Sequence, residues 1–177
     1  KLIDPKDRSV VTLFGDAGTA TLIGKENPGE KDCIGEFQFG TDGKGGDLLI
    51  CDFAGWRTSL EQQKHLKMDG AGVLTFTLSL LPKALKEYLE KTNSNLDNYD
   101  AVVFHQANQF ILEKLYKKMG IGSKGIIAMK DSGNTVSSTI PIALESISPQ
   151  FNLEKKRRIL LSGFGVGLSW GFTNLLI

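Results

Sequence analysis

A histidine and an asparagine, each at a turn that follows or precedes an apolar stretch, are the residues of this chain best placed to do chemistry. His105-Gln106-Ala107-Asn108 follows the strand-like run Ala101-Val102-Val103-Phe104 and precedes an amphipathic helix pattern. An imidazole at the carboxyl end of a strand lies where α/β folds gather their working groups. Asp131-Ser132-Gly133-Asn134-Thr135 repeats the arrangement: a polar turn with glycine, then a side-chain amide, then small residues up to Pro141. A neutral imidazole and a neutral amide both donate hydrogen bonds, so His105 and Asn134 together could hold a developing oxyanion, an arrangement for carbonyl chemistry. Alternatively, His105 is a base that activates a nucleophile and Asn134 orients it. His105 also has a plainer reading, since a histidine at such a junction is often structural, and its companion Asn108 could simply cap a helix.

No convincing nucleophile accompanies them. Cys33 and Cys51 sit in or beside strand patterns, without the small-residue turn and helix N-terminus that lower a thiol pKa. Ser132 and Ser137 flank Asn134, where hydroxyls more simply satisfy backbone groups. Two cysteines are too few for a disulfide framework and have no Cys-x-x-Cys or His-x-x-x-His companion for a metal, which fits a reducing cytoplasm. His65 has no constellation around it and reads as a surface residue. The four glycines of residues 40–46 invite comparison with a phosphate loop, but no Gly-Lys-Ser/Thr ending follows and hairpin chemistry is simpler. Gly163-Phe164-Gly165-Val166-Gly167 is either a bulged turn or a place where amides face a ligand.

The elements that must position these groups read as an α/β layer with mixed strand directions. Strands are expected at residues 9–14 and 19–23 as a hairpin-like pair, then within 33–39 and at 48–52, with an irregular excursion over 55–67. A helix kinked at Pro82 spans 72–91, and a second runs over 108–119 to a stop at Gly120. A short strand at 125–129, a helix at 138–148 with Pro141 near its start, and strands at 157–162 and 168–176 complete the chain. With 177 residues, 41% hydrophobic and 23% charged, one domain is expected. A net charge of +1 supplies no field for nucleic acid. No apolar run reaches the roughly 18–20 residues of a membrane span, and no export signal is expected.

Four blocks carry a resemblance: Phe14-Gly15-Asp16-Ala17-Gly18, His105-Gln106-Ala107-Asn108, Gly133-Asn134-Thr135 with Ser137-Ser138-Thr139-Ile140-Pro141, and Gly163-Phe164-Gly165-Val166-Gly167-Leu168-Ser169-Trp170-Gly171. In order and spacing they resemble β-ketoacyl-acyl-carrier-protein synthase III, over essentially the whole chain but only the C-terminal half of a family member. The resemblance implies a thiolase-like α/β fold, one half of the duplicated fold, with a mixed sheet packed between helices. Residues 1–24 would be final strands of the N-terminal half and 25–177 the C-terminal domain. It implies a decarboxylating Claisen condensation of acyl-CoA with malonyl-carrier protein, in fatty-acid or related biosynthesis in the cytoplasm. Coenzyme A and phosphopantetheine thioesters are substrates, with no cofactor or metal, and the complete protein is a homodimer that binds neither nucleic acid nor membrane.

By resemblance, His105 and Asn134 stabilise the thioester-enolate oxygen. The Val166 amide belongs to the oxyanion hole of the acyl-cysteine, and that cysteine lies in the absent half, so the chain alone is expected to be inactive. Arg8 matches an arginine that stacks on adenine, and Gly70, Ala107, Asn108, Ile111 and Phe164 match the pantetheine tunnel. Two departures point to another acyl donor or acceptor: Phe110 stands where the family commonly has arginine, and Met68-Asp69-Gly70-Ala71 lacks the usual asparagine after glycine. A thiolase half normally buries one face against its twin, so the chain alone is expected to self-associate through that face. Rival readings are a non-catalytic dimer-partner or ligand-binding module, and a hydrolase with a serine or cysteine within about 3 Å of His105.

Overall fold

The computed structural model describes residues 3–24, 33–51, 65–148 and 156–177. Its centre is β4 (Ala101–Phe104), buried on both faces, paired in parallel with β5 (Arg158–Gly165). β5 turns back antiparallel onto β6 (Ser169–Leu176), and β6 pairs with β1 (Gln38–Thr41), giving a mixed sheet of order β1-β6-β5-β4. Two-residue strands β2 (Leu49–Ile50) and β3 (Lys67–Met68) pair separately.

Alternation along β4 gives each sheet face its own core. Val102 and Phe104 join Leu160 and Phe172 against α1 (Gly70–Lys91) and α2 (Gln109–Met119). Ala101 and Val103 pack with Ile159 against Ala143 and Ile147 of α3 (Thr139–Ile147). The sheet therefore lies between helices, as expected.

Local chemistry bounds the helices. The Asp69 side chain accepts from Gly72 N at the start of α1, and Asn108 accepts from Ile111 N at the start of α2. Gly120, at φ 69°, ends α2 in the left-handed conformation that suits glycine. Pro82 lies inside α1 and has no N–H to give the Leu78 carbonyl four residues back; Lys118 Nζ of α2 donates to that oxygen at 2.7 Å. Pro141 falls in the first turn of α3, where the missing N–H costs nothing.

The N-terminal expectations are corrected. Residues 9–14 form helical-type turns, not a strand: Val11 N donates to Asp7 O at 3.0 Å and Leu13 N to Val10 O at 3.1 Å. The Asp7 carboxylate starts this winding by accepting from Ser9 N at 2.8 Å and Ser9 Oγ at 2.6 Å, so side-chain bonding overrides the β propensity of Val10 and Val11. Residues 19–23 form no strand either, and Leu22 and Ile23 are exposed. Residues 43–48 form a 3-10 helix capped by Asp42 rather than a hairpin turn, and the strand expected over 125–129 is a single bridge from Gly125 to Val102. His65 is half-buried rather than on the surface. Most of the 55–67 excursion lies outside the described residues.

A polar chain crosses the larger core. Arg158 Nε donates to Asn174 Oδ1 at 3.2 Å, and Asn174 Nδ2 donates to the Tyr88 hydroxyl at 2.9 Å. Tyr88 is fully buried, so removing its hydroxyl strands an amide proton. Tyr88→Phe is expected to cost about 1–3 kcal/mol in urea denaturation, the desolvation penalty of one orphaned donor. An unchanged midpoint would mean that the network contributes nothing.

Candidate functional site

The parallel ladder carries His105 to its place. His105 N donates to Ser162 O at 2.8 Å, extending the β4–β5 pairing by one bond, and Ala107 N then returns to His105 O at 2.9 Å in a tight turn into α2. Gln106, which sequence reasoning left without a role, locks that turn from within the core. Its Nε2 donates to Phe104 O at 2.6 Å and to Ile126 O at 3.3 Å, while Oε1 accepts from Ala128 N at 2.8 Å. With those groups paired, the turn that aims His105 has little freedom.

Asn134 is held from the other end of the chain. Its N–H donates to Leu13 O at 2.9 Å and its carbonyl accepts from Gly15 N at 3.0 Å, a parallel bridge centred on Phe14. The approach is so close that a Cβ on Gly15 would collide with the Ser132 carbonyl. Gly133, at φ 64°, turns the chain beside it. The Phe14-Gly15 block thus clamps the asparagine turn. Asn134 Oδ1 accepts from Val136 N at 2.9 Å, and because a backbone N–H can only donate, the amide orientation is settled: Nδ2, with two protons, is the end left for a ligand.

His105 and Asn134 line the same two spaces, a cavity of about 80 Å³ and a broad groove of about 910 Å³. The cavity runs past Gly70, Ala107, Asn108, Ile111 and Phe164, which the sequence reading assigned to one tunnel. Asn108 both caps α2 and lines the cavity. Val166 lines the groove. Arg8 is exposed and lies outside both linings. Cys33 is exposed, Cys51 is half-buried, and neither lines either space. Among the described residues no group of three His, Cys, Asp or Glu side chains could hold a metal, and no helix is long and apolar enough to cross a membrane.

The groove is strongly apolar, with Phe37, Phe39 and Val136 exposed along it. Phe164 packs edge-on to His105, ring centroids 5.4 Å apart. Burial pushes the His105 pKa down to about 4, against a weaker upward pull from the Val136 carbonyl, so the ring is neutral near pH 7. Nδ1 lies 2.7 Å from Thr139 Oγ1. That hydroxyl answers the hydrolase reading: it is within reach of the imidazole, but Thr139 is 2% exposed and its proton goes to Val136 O at 2.9 Å. It is a partner of the ring, not a nucleophile offered to substrate.

Because the folded state holds His105 below its ordinary value of 6.5, the unfolded chain binds the proton first as pH falls. The stability tied to the neutral ring is therefore complete above about pH 6.5 and is lost as pH drops toward 4. The loss is on the order of 3 kcal/mol, at 1.36 kcal/mol per pKa unit. His105→Gln is expected to flatten the pH dependence of the urea midpoint across that window; a profile parallel to wild type would contradict the burial argument.

Similarity to known proteins agrees with this geometry. Residues 89–176 match the family model described as 3-oxoacyl-[acyl-carrier-protein (ACP)] synthase III C terminal, and residues 1–43 match that described as 3-oxoacyl-[acyl-carrier-protein (ACP)] synthase III. The β-ketoacyl-[acyl-carrier-protein] synthase III of Streptococcus sanguinis is 36% identical over 178 residues, covering 97% of this chain and 54% of that protein. A crystal structure of a 3-oxoacyl-(acyl-carrier-protein) synthase III superposes with a TM-score of 0.86 at 36% identity, covering 99% of this chain and 57% of the other. The 3-oxoacyl-(acyl-carrier protein) synthase of Burkholderia xenovorans gives 0.84 at 32% identity, covering 99% and 52%. The chain spans about half the length of the curated relatives it matches. With both family models matched in order, and the thiolase-like fold shared over nearly its whole length, the chain belongs to the β-ketoacyl-[acyl-carrier-protein] synthase III family.

Proposed function

We propose that this chain is the C-terminal part of an acyltransferase that condenses an acyl-CoA with malonyl-carrier protein, with loss of carbon dioxide, in fatty-acid or related biosynthesis. The observation that carries the reading is the pinned Asn134 amide, its donor end free on the cavity wall that also holds His105. Loss of carbon dioxide from a malonyl thioester puts negative charge on the thioester oxygen, and a preorganised neutral donor in an apolar, half-closed space stabilises that charge. The cavity beside it takes the pantetheine arm past Gly70, Ala107, Asn108, Ile111 and Phe164, with Arg8 outside for the nucleotide end. The amide of Val166 serves the acyl-thioester oxygen.

The nucleophilic thiol comes from the part of the relatives' length that this chain does not span, so the chain by itself does not condense substrates. Residues 1–24 belong with that other half, and 25–177 form the C-terminal domain. The apolar groove bordered by Phe37 and Phe39 supports this division, because it is a face of the size and polarity that a twin half covers. The complete protein works as a cytoplasmic homodimer, without a metal or cofactor, on coenzyme A and carrier-protein thioesters. A non-catalytic module has no need of an oriented Asn134 amide, which favours the enzyme.

Phe110 sits exposed on the first turn of α2 with Lys114 Nζ 5.3 Å from its ring centroid. An aromatic surface there, in place of the common arginine, favours a carrier or acyl donor other than the usual one.

The deciding experiment follows radiolabelled acyl-CoA into the full-length protein and then into malonyl-carrier condensation, for wild type, His105→Ala and Asn134→Ala. Wild type is expected to do both. Asn134→Ala should still acylate, with condensation reduced by about 10²–10³-fold, the worth of one oxyanion donor. Acylation without any condensation in wild type would make the protein an acyltransferase of another kind.

A further inference from the structure

The glycine-dense run of residues 40–46 is fastened to the turn that carries Val166. Asp42 N donates to Leu168 O at 2.8 Å and Leu168 N donates to Asp42 O at 2.9 Å, a reciprocal pair one step beyond the last β1–β6 rung, Thr41 opposite Ser169. At that rung Thr41 Oγ1 and Ser169 Oγ lie 2.9 Å apart. Glycine is what lets the chains come this near: Gly45 is buried with no room for a Cβ against the Leu168 side chain, and a Cβ on Gly40 would run into the Trp170 ring. The Asp42 carboxylate starts the 3-10 helix of residues 43–48 by accepting from Lys44 N at 3.1 Å.

The other end of that helix is fastened to α1. Asp69 N donates to Leu48 O at 2.8 Å, Leu49 pairs with Met68, and Gly72 leaves the space that the Leu48 side chain fills. Residues tied to both ends line the same cavity, Leu49, Met68 and Gly70 from one and Gly165 and Leu168 from the other. Asp42 and Gly45 line neither the cavity nor the groove. The turn between β5 and β6 has little stiffness of its own: Val166 stands between Gly165 and Gly167, the latter at φ 132°, and no side chain of the described residues caps it. Its hold comes from outside, through Leu168.

We infer that Asp42 and Gly45 are positioning residues, and that residues 42–48 brace the Val166 amide at a set distance from the α1 side of the cavity. This rests on the acyl-transfer reading, in which that amide serves the acyl-thioester oxygen. An oxyanion donor works only at about 2.7–3.1 Å from where the charge develops, and a misplacement of about 1 Å costs on the order of 10²-fold. A turn flanked by glycines gives no such precision unaided. A short helix tied at both ends does, because each tie removes a direction of drift, and the glycines of the run serve the close approach that the ties require.

The test is acylation from acyl-CoA by the full-length protein, with amide hydrogen exchange, for Asp42→Ala, Asp42→Asn and Gly45→Ala. Asp42→Ala, at an exposed position, is expected to raise exchange at residues 166–168 and to lower kcat for acylation roughly 10-fold, a part of what one oxyanion donor is worth, with KM nearly unchanged. Asp42→Asn keeps an acceptor for Lys44 N and should restore both. Gly45→Ala presses on Leu168 and should match Asp42→Ala in kcat. Unchanged kcat and exchange in Asp42→Ala and Gly45→Ala, or Asp42→Asn as impaired as Asp42→Ala, would overturn the inference. So would a rise in exchange spread evenly over the sheet, the mark of general loosening. Exchange raised at residues 166–168 alone, in a protein whose wild type acylates nothing, would uphold the brace and overturn the acyl-transfer reading instead.

Discussion

The parallel register between β4 and β5 is the constraint on which the site depends. It is pinned at its entry by Asp100, whose carboxylate accepts from Arg158 N and from Arg157 Nη1, both at 2.9 Å. Those bonds, the Arg158 amide first, hold the Asp100 carboxyl below its ordinary pKa. At the exit the ladder ends on His105 N–H and Ser162 O. A slip of one residue would move Phe104 from one core to the other and turn His105 away from the cavity, so both sheet faces and the site select the same alignment. The register is fixed by packing from two sides, not by the few hydrogen bonds of a four-residue strand.

Around this frame the site is built from turns with little freedom. Gln106 is spent on the backbone of the core, the carbonyl and N–H of Asn134 on residues 13–15, and its side-chain oxygen on Val136. Each bond removes one way for the reactive groups to rotate. Val136, at φ 56°, adopts a left-handed backbone rare for a β-branched residue, and the surrounding bonds over-determine the turn that holds it there. The result is a polar pair in an apolar wall, where an oriented dipole acts with little screening.

The face that carries the site is also an exposed apolar face, lined by Phe37, Phe39, Val136 and Val166, and the two facts belong together. A wall lined by Phe14, Phe164 and Trp170 keeps one side of the polar pair apolar. The chain spans about half of its relatives' length and presents this wall together with the polar pair.

The elements legible in the sequence were those whose signals are local. Asn108 and Gly120 bound α2, and the apolar runs mark β4, β5 and β6, because caps and periodicity act within a turn or two of the residues that carry them, whereas the Asp69 cap that starts α1 at Gly70 went unread. The types and turns of His105 and Asn134 were legible for the same reason, and the four family-like blocks were continuous stretches. What tertiary structure decided is non-local. Residues 9–14 have the composition of a strand, yet Asp7 winds them into turns and Asn134 takes the one bridge they make. The polarity of the Asn134 amide depends on Val136, and the state of the His105 ring depends on burial by Phe164 and on Thr139. The sequence by itself determined the types and local turns of His105 and Asn134; only the folded chain decided which partners each meets, since those partners come together across the fold.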